Sequence, residues 1–342
     1  MTDIRTIKFG IIGCGMIGKY HAEAIKQSPN AVLQAVYDTN LESAKRLSEE
    51  YACLCATTWD ALFQEVDAVA ICVPSDCHYD AVIRSARAKK HIICEKPISP
   101  LVSEAEEMIQ CCQDNNVLLS VVFQHRFDPA VQAVKEAIQS EEIGRVLWAS
   151  SRSVLYREQT YYTEKAWHRK FGSGALLNQA IHYIDLLVYL LGDPLSVIGQ
   201  YSNQSHPENE NEDLGLAIVN FPNQVPAVIE GTTASYPGLF NEISIYGENG
   251  TFIIRNDELF SYWLKSGKKQ KYEDLLNPNA TYTEFRDATI DITAHKKQYC
   301  DFINAILSQC RPAITCSEGL RSLRLVQAIY ESSDTKRMVS LI

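Results

Sequence analysis

The first third of the chain alternates between two hydrophobic periods, and this alternation limits the possible folds more than any other feature. Short apolar runs rich in β-branched residues predict buried parallel strands at residues 7–12, 31–37, 67–73, 91–94 and 117–123. Helical patterns lie between these runs, at about 16–28, 41–50, 58–64, 76–89 and 103–115. Strands that alternate with helices predict right-handed crossovers and a doubly wound parallel sheet.

The pattern of the chain changes after about residue 124. Local patterns predict a helix at 129–140, a strand at 144–156, a polar loop with aromatic residues at 157–173 and a helix at 175–191. Longer alternating strands between 195 and 263 indicate one antiparallel or mixed sheet, residues 264–289 read as irregular, and helices follow near 290–309 and 317–333. We therefore predict an α/β protein with two domains, 1–124 with the parallel sheet and 125–342 with an open, mostly antiparallel sheet.

Composition and charge argue against several classes of partner. The 342 residues carry a net charge of −10 without a basic block, so nucleic acid and anionic membranes are not expected as partners. No apolar run approaches the roughly 18 residues that cross a bilayer, and the start MTDIRTIKFG lacks a secretory signal pattern. The eleven cysteines show no C-x-x-C or other metal-site spacing, so we expect reduced thiols, a cytoplasmic protein and no metal.

A glycine-rich motif, GCGMIG, stands between the first predicted strand and the first predicted helix. In such a G-x-G-x-x-G loop the first glycine permits a tight turn, the second lets a pyrophosphate approach the backbone, and the third lets helix and strand pack closely. Backbone N–H groups at the helix start then hold the phosphates. The residues predicted to bind the dinucleotide here are Gly13, Gly15, Met16, Ile17 and Gly18.

An acidic residue at the end of the second predicted strand points to the choice of cofactor. Asp38 lies twenty residues after Gly18, where a carboxylate would accept hydrogen bonds from the ribose hydroxyls and would repel a 2′-phosphate. Thr39 and Asn40 follow, without an arginine to offset that repulsion. NAD is therefore favoured, and NADP stays the alternative.

Two further segments follow predicted strands at the carboxyl edge of the sheet, where ligands bind in doubly wound folds. In VPSDCH (73–78), Pro74 and Ser75 are expected beside the cofactor, while His78 either contacts it or caps its own helix. In HIICEKPISP (91–100), Lys96 follows a buried strand, and Pro97 fixes the backbone behind it. Most lysines are solvated, but this position predicts that Lys96, with Glu95 beside it, lies at the cofactor and takes part in chemistry.

A second polar cluster lies on the predicted helix at 175–191. Asn178, His182 and Asp185 are spaced i, i+4, i+7 and are expected to share one helix face, beside an apolar stripe. An active-site helix would show this pattern, and so would a half-buried structural helix. The spacing alone leaves both interpretations open.

The ordered motifs together resemble a known family. GCGMIG, then EKP at 95–97, then a G-x-L-x-[DN]-x-x-x-H helix resemble the Gfo/Idh/MocA oxidoreductases, from about residue 7 to beyond 330. The resemblance implies a Rossmann domain that binds NAD(P) and a second α/β domain whose open sheet often mediates homodimers or homotetramers. It also implies that substrate lies between the two domains.

The resemblance assigns roles to individual residues. Lys96 matches the active-site lysine of the family and His182 its catalytic histidine. Asn178 stands where the family commonly has Asp, and an amide cannot ionise to relay a proton. Arg126 and Pro129, in HRFDP, match a segment that shapes the substrate cleft, whereas Asp185 is expected to support helix or domain packing.

Two segments resemble one branch of the family, although related segments appear in other sugar dehydrogenases. YYTEKAWHRKFGSGALLNQAIHYIDLL (161–187) and TTASYPG (232–238) are similar to nucleotide-sugar 3-dehydrogenases that act on UDP-N-acetylglucosaminuronic acid. On the loop before the helix, Tyr161, Tyr162 and Trp167 would pack on a sugar ring, and Arg169 would hold a carboxylate or phosphate. The alternative is a surface loop tucked against a neighbouring subunit.

The expected reaction oxidises a secondary hydroxyl of a sugar, sugar derivative or nucleotide sugar by hydride transfer to nicotinamide. His182 is the first candidate for the base. Lys96 would donate a hydrogen bond to the reacting oxygen, or would itself be the base if its pKa were depressed by desolvation. The rival hypotheses are an oxidoreductase of the same fold acting on a dihydrodiol or tetrapyrrole, and a regulator that binds NAD(P) without turnover.

Overall fold

The computed structural model describes residues 5–207, 209–267, 269–270 and 291–341. The chain divides into two compact units, Met1–Gln124 with Ile290–Leu320, and His125–Thr289 with Arg321–Ile342. The first break lies after residue 124, where the sequence pattern changes. The stretch 290–320, however, belongs to the first unit, whereas the sequence assigned it to the second domain. The limits of the functional domains stay a prediction.

The first unit contains a parallel sheet of six strands in the order β3-β2-β1-β4-β5-β6. The strands are β1 (Ile7–Ile12), β2 (Ala31–Tyr37), β3 (Leu54–Cys55), β4 (Ala68–Ile71), β5 (His91–Cys94) and β6 (Leu119–Val121). This strand order confirms the predicted doubly wound Rossmann sheet. The two-residue edge strand β3 was not predicted, because two residues are too few to show a hydrophobic period.

Helices connect these strands, as the alternation predicted. They are α1 (Met16–Gln27), α2 (Leu41–Tyr51), α3 (Trp59–Glu65), α4 (His78–Arg87) and α5 (Val102–Asp114). Side chains that precede two of them fix the helix starts, because an oxygen before the first turn accepts unpaired backbone N–H groups. Asn40 accepts from two N–H groups of α2, and Thr58 accepts from one of α3.

The second unit contains a mixed sheet of nine strands in the order β14-β13-β12-β11-β7-β10-β9-β8-β15. Strands β7 and β10 are parallel, and the other described neighbours are antiparallel. The ranges are β7 (Val146–Val154), β8 (Ser196–Ser202), β9 (Leu214–Phe221), β10 (Val225–Thr232), β11 (Phe240–Gly247), β12 (Gly250–Arg255), β13 (Glu258–Leu264) and β14 (Lys269–Gln270). The predicted open, mostly antiparallel sheet is thereby confirmed.

The helices of this unit differ in detail from the sequence pattern. They are α6 (Pro129–Gln139), α7 (Gln159–Glu164) and α8 (Ile181–Leu191). Residues 175–191, predicted as one helix, form a π-helical segment at Ala175–Ala180 that continues into α8. Residues 157–173, predicted as a loop, contain α7 and a 3₁₀ turn at Ala166–Arg169.

The chain continues after residues 271–290, which lie outside the described residues, as does most of the segment predicted to be irregular. The last elements are α9 (Thr293–Ser308), α10 (Cys316–Thr335) and β15 (Val339–Ser340). Helix α9 packs in the first unit, where the ring of Tyr299 meets that of Phe9 edge-on, with centroids 5.4 Å apart. Such distant packing cannot be read from local sequence patterns. Across the described residues, no helix combines the length and apolar content needed to span a bilayer.

A buried carboxylate supports the start of the π-helical segment. Glu212 Oε1 accepts hydrogen bonds from Leu176 N and from the Tyr330 hydroxyl, both at 2.8 Å. Gly174 leaves room for this carboxylate, because a Cβ at that position would lie 2.0 Å from Glu212 Oε2. Burial raises the pKa of Glu212 to about 7, although both hydrogen bonds act to lower it. The sequence around Glu212, HPENENED (206–213), is acidic and polar and gives no local signal of this buried role.

The raised pKa predicts how stability depends on pH. A carboxyl whose pKa is higher in the folded state stabilises the fold fully below its ordinary pKa, and this stabilisation is lost as the pH rises through about 7. We expect the melting temperature of the wild-type protein to fall between pH 5 and 8 by a few degrees more than that of Glu212→Gln, at about 1.4 kcal/mol per pKa unit. Glutamine keeps the acceptor oxygen but cannot ionise. Parallel melting curves for the two proteins would contradict this account.

Candidate functional site

The glycine loop joins β1 to α1 with close backbone contacts. Gly13 has a φ of +100°, and a Cβ there would lie 2.7 Å from the backbone of Cys72. A Cβ on Gly18 would lie 2.2 Å from the carbonyl oxygen of Gly13. The first and third glycines of the motif are therefore required by packing within the first unit.

The second glycine of the motif has a different environment. A Cβ on Gly15 would meet no atom within 4 Å, and Gly15 directly precedes α1. The open space therefore lies at the start of a twelve-residue helix, where N–H groups and the helix dipole attract phosphate. This arrangement fits the pyrophosphate of a dinucleotide, and the methyl group of an alanine would occupy that space.

Asp38 braces the glycine loop from the end of β2. Its Oδ2 accepts a hydrogen bond from Cys14 N at 2.7 Å, and its Oδ1 accepts one from Asn40 N at 2.7 Å. Both bonds hold the carboxylate at the edge of the sheet, beside the loop. Its predicted role toward the ribose hydroxyls stays a prediction.

The two segments that follow β4 and β5 are joined through His78. Its ring nitrogens lie 2.8 Å from the carbonyl oxygen of Pro97 and 3.0 Å from that of Val73, and burial lowers the pKa of the imidazole. The ring thus contacts the two segments and not its own helix. Ser75 is buried in the 3₁₀ turn that follows Pro74. The predicted contacts of these residues with the cofactor stay predictions.

Lys96 lies directly after β5, as predicted, and is partly buried. The carboxylate of Glu95 turns inward: its Oε2 accepts from Lys96 N at 3.1 Å, and its Oε1 lies 2.9 Å from His21 Nε2. The sequence predicted that Glu95 lies at the cofactor. In the structure this side chain is bonded to an interior histidine, which the sequence analysis did not identify as a functional residue.

In the second unit, His182 and Asn178 are both partly buried. The ring of His182 packs perpendicular to that of His125, with centroids 4.9 Å apart. Asn178 Nδ2 lies 3.5 Å from the hydroxyl of Tyr161, which also accepts from Gln179 Nε2 at 3.0 Å. The π-helical segment that precedes α8 therefore holds Tyr161.

Arg126 and Asp185 form a buried ion pair in the second unit. Arg126 Nε and Nη2 donate to Asp185 Oδ2 and Oδ1, both at 2.7 Å, and Ser322 Oγ donates to Oδ1 at 2.8 Å. The two residues are 4% and 0% exposed. A packing role for Asp185 agrees with the sequence-based expectation. The substrate contact predicted for Arg126 stays a prediction, and its guanidinium is engaged inside the unit.

The aromatic segment before the helix places its predicted substrate residues differently. Tyr162 is 1% exposed and its hydroxyl bonds the Thr233 hydroxyl at 2.7 Å, so this side chain belongs to the core. Trp167 is partly buried against His168, and Arg169 is exposed. Geometry thus favours Trp167 and Arg169 over Tyr162 as groups that a ligand can reach.

His125 is the main residue near His182 that sequence reasoning missed. Its Nδ1 lies 2.9 Å from Asp128 Oδ2 and 3.1 Å from Asp257 Oδ1, and the Tyr183 hydroxyl donates to the same Asp257 oxygen at 2.8 Å. The H-x-x-D spacing of His125 and Asp128 was a usable signal. No local signal linked them to Asp257, which lies between β12 and β13.

Two groups within the described ranges bring three potential metal ligands within 4.8 Å of one another: His21, Glu95 and His295, and His125, Asp128 and Asp257. In each group a histidine nitrogen bonds a carboxylate directly. These contacts pair His21 with Glu95 and His125 with Asp128. The absence of a metal stays a prediction.

Comparison with known proteins identifies the family. Residues 7–123 match the family model described as an oxidoreductase family with an NAD-binding Rossmann fold. Residues 135–341 match the model of the C-terminal α/β domain of the same oxidoreductases. The chain belongs to the Gfo/Idh/MocA family of oxidoreductases, and its first unit carries the NAD-binding fold.

Similar proteins include sugar and polyol dehydrogenases. Inositol 2-dehydrogenase of Rhizobium meliloti is 29% identical, over 98% of this chain and 99% of the relative. The WlbA dehydrogenase of Bordetella pertussis, solved with NADH and UDP-GlcNAcA, is 30% identical over 100% of this chain and 99% of its own, with a TM-score of 0.86. WlbA of Chromobacterium violaceum, with the same ligands, is 28% identical over 100% and 97%, with a TM-score of 0.85.

Alanine substitutions at Gly15 and Gly18 distinguish a role in NAD binding from a role in packing. We expect Gly15→Ala to keep the melting temperature and to weaken NAD binding by roughly tenfold or more, about 1.4 kcal/mol, because the methyl group fills the phosphate space. Gly18→Ala should instead destabilise the fold by about 1–3 kcal/mol, since its Cβ meets a backbone carbonyl. Titration calorimetry and thermal melts measure both effects. NAD affinity of Gly15→Ala equal to wild type would refute the assignment of this space.

Proposed function

We propose that this protein is an NAD-dependent dehydrogenase that oxidises a secondary hydroxyl of a sugar, sugar derivative or nucleotide sugar. The proposal that the cofactor is NAD rests on the open space at Gly15 and on the Asp38 carboxylate, which bonds the same glycine loop. The likeness in sequence and fold, over the full length, to a dehydrogenase solved with NADH and UDP-GlcNAcA supports the substrate class.

The residues of this chain divide the proposed chemistry between them. Bound nicotinamide supplies the hydride acceptor. His182 takes the proton of the substrate hydroxyl, because an imidazole titrates near neutral pH. Lys96 donates a hydrogen bond to the same oxygen and stabilises the negative charge that develops there. Asn178 has no proton to exchange, so it serves in orientation through its amide.

Nucleotide sugars are the favoured substrates within this class. Arg169 is exposed and stands two residues after Trp167, and an exposed guanidinium suits an anionic sugar derivative. The backbone at this point is held in place, because Asn211 Nδ2 donates to the carbonyl oxygens of Arg169 and Lys170 at 3.0 and 2.7 Å. A polar ligand bound by Arg169 would therefore contact a segment whose backbone is fixed by hydrogen bonds.

We propose a cytoplasmic location on the basis of the cysteines. All eleven are free thiols, as expected in a reducing compartment. Burial raises the pKa of Cys14 to about 12, with a further contribution from Asp38. A buried thiol that keeps its proton does not react readily.

A substrate screen with two variants tests the proposed activity. Purified protein is assayed by NADH formation with NAD or NADP against free sugars, inositols and UDP-sugars, and we expect turnover with NAD and a sugar derivative. Lys96→Ala and His182→Ala should each lower turnover by roughly 10²-fold while NAD still binds, as removal of an acid–base group typically does. Bound nucleotide without turnover of any compound would indicate a regulator, and turnover limited to dihydrodiols or tetrapyrroles would indicate a non-sugar enzyme.

We also propose that the chain forms homodimers or homotetramers through one face of the nine-stranded sheet. Ile198, Ile218 and Val228 lie in register on neighbouring strands and are 44%, 52% and 41% exposed. Trp148, 42% exposed, extends the same face and stacks on Tyr246. A continuous apolar face of this kind marks an interaction surface.

A charge on this face should dissociate the oligomer. We expect Ile218→Glu to elute as a monomer in size-exclusion chromatography with light scattering, because a carboxylate in an apolar interface is desolvated without a partner. Leu41→Glu is the matched control, since Leu41 is 44% exposed at the start of α2 in the first unit. A monomeric wild-type protein, or an oligomer that survives Ile218→Glu, would rule out this interface.

A further inference from the structure

Three side chains form a hydrogen-bonded row in the interior of the first unit. The hydroxyl of Tyr299, on α9, lies 2.6 Å from His21 Nδ1, on α1, and His21 Nε2 lies 2.9 Å from Glu95 Oε1. His21 and Tyr299 are 0% and 1% exposed, and the side chain of Glu95 is 12% exposed. The row runs from α9 through α1 to the residue that precedes Lys96.

The direction of the hydrogen bonds follows from the chemistry of the three groups. An ionised carboxylate only accepts hydrogen bonds, so His21 Nε2 must carry a proton and donate a hydrogen bond to Glu95. The pKa of Tyr299 lies well above its ordinary value, through burial and the charge of Glu95, so the phenol keeps its proton. Tyr299 can then donate to His21 Nδ1, which fixes the tautomer of the ring.

Glu95 is ionised although it is enclosed. Burial by itself raises the pKa of this carboxyl, whereas the hydrogen bond from His21 and the positive charge of Lys96 hold it below its ordinary value. The titratable groups that interact with it are His21, Cys72, His78, Cys94, Lys96, His295 and Tyr299. Burial raises the pKa of both thiols, so these two groups keep their protons, and it lowers the pKa of His78.

We propose that His21 and Tyr299 are positioning residues: they hold the Glu95 carboxylate ionised and fixed beside Lys96, so that Lys96 works as an ammonium and not as the base. A negative charge next to a lysine favours its protonated form. This inference rests on the proposed function, in which Lys96 contacts the reacting oxygen. It assigns the proton acceptor to His182 alone and gives Lys96 the part of hydrogen-bond donor.

The position of the row in the fold explains why it suits this task. Helix α1 begins at the glycine loop, and β5 ends at Glu95. Because Tyr299 fixes the other side of the His21 ring, the carboxylate cannot turn away without losing its hydrogen bond from His21. The further bond from Lys96 N to Glu95 Oε2 links the carboxylate to the lysine's own backbone.

The protonation of Lys96 can be measured without any substrate. Brief acetylation of the folded protein at a series of pH values, followed by peptide mass spectrometry, gives the midpoint at which Lys96 becomes reactive, with exposed Lys45 as internal reference. We expect Glu95→Gln, which keeps the shape of the side chain, to lower this midpoint by about one pH unit or more. His21→Leu should shift it in the same direction, and His21→Gln, which retains an N–H donor toward Glu95, should restore most of the wild-type value.

A second buried pair provides the matched control. His206 Nδ1 lies 2.9 Å from Asp213 Oδ2 in the second unit, with side chains 4% and 0% exposed. His206→Gln should leave the midpoint of Lys96 unchanged, and thermal melts verify that each variant is folded. An unshifted midpoint in folded Glu95→Gln would overturn the proposal.

The test separates this inference from the proposed function. If the wild-type protein oxidises no sugar, the dehydrogenase proposal fails while the labelling midpoints still report on Glu95 and His21. If it is active, the alkaline limb of kcat/KM should move with the labelling midpoint in Glu95→Gln, because loss of the Lys96 proton removes the hydrogen-bond donor. If the labelling midpoint of Lys96 shifts in Glu95→Gln but the alkaline limb of the kcat/KM profile does not, the assignment of Lys96 as hydrogen-bond donor is overturned.

Discussion

The ionised carboxylate of Glu95, bonded to His21 in the interior of the first unit, is the interaction on which the proposed chemistry depends. Taking a charge out of water is costly unless hydrogen bonds and opposite charges offset the loss of hydration. Here a histidine, a lysine and the backbone of that lysine supply them. The helix of the glycine loop, the end of β5 and α9 are thereby tied at one point. The glycine loop and Lys96 are thus held by the same group of interior hydrogen bonds.

The second unit uses buried carboxylates in the same way. Asp185, bonded to Arg126, fixes the middle of α8, and Glu212 supports the start of the π-helical segment before it. His182 lies between the two positions that these carboxylates hold, Leu176, which bonds Glu212, and Asp185 itself. π-Helical turns are rare, and they occur frequently at functional sites. The two carboxylates explain how such a turn persists here, and they leave His182 in a fixed setting beside His125.

Local patterns were enough to predict much of the fold and the cofactor loop. Hydrophobic periods and the spacing of Gly13, Gly15 and Gly18 depend on neighbours in sequence, and five of the six strands of the parallel sheet follow from them. Partners distant in sequence could not be predicted: His21 and Tyr299 are 278 residues apart. Arg126 was predicted at the substrate from the family resemblance, and Tyr162 because an aromatic side chain suits a sugar ring. Their interior bonds to Asp185 and Thr233 depend on tertiary packing that no local pattern reveals.

The central claim is that this chain transfers hydride from a sugar carbon to NAD. The most direct measurement follows the hydrogen itself: UDP-N-acetylglucosaminuronic acid deuterated at C3 is incubated with the protein and NAD, and the reduced nucleotide is analysed by mass spectrometry and NMR. If the account is right, NADH carries one deuterium at C4 of the nicotinamide, in amounts equal to the oxidised sugar. Oxidised sugar accompanied by NADH without deuterium would contradict it.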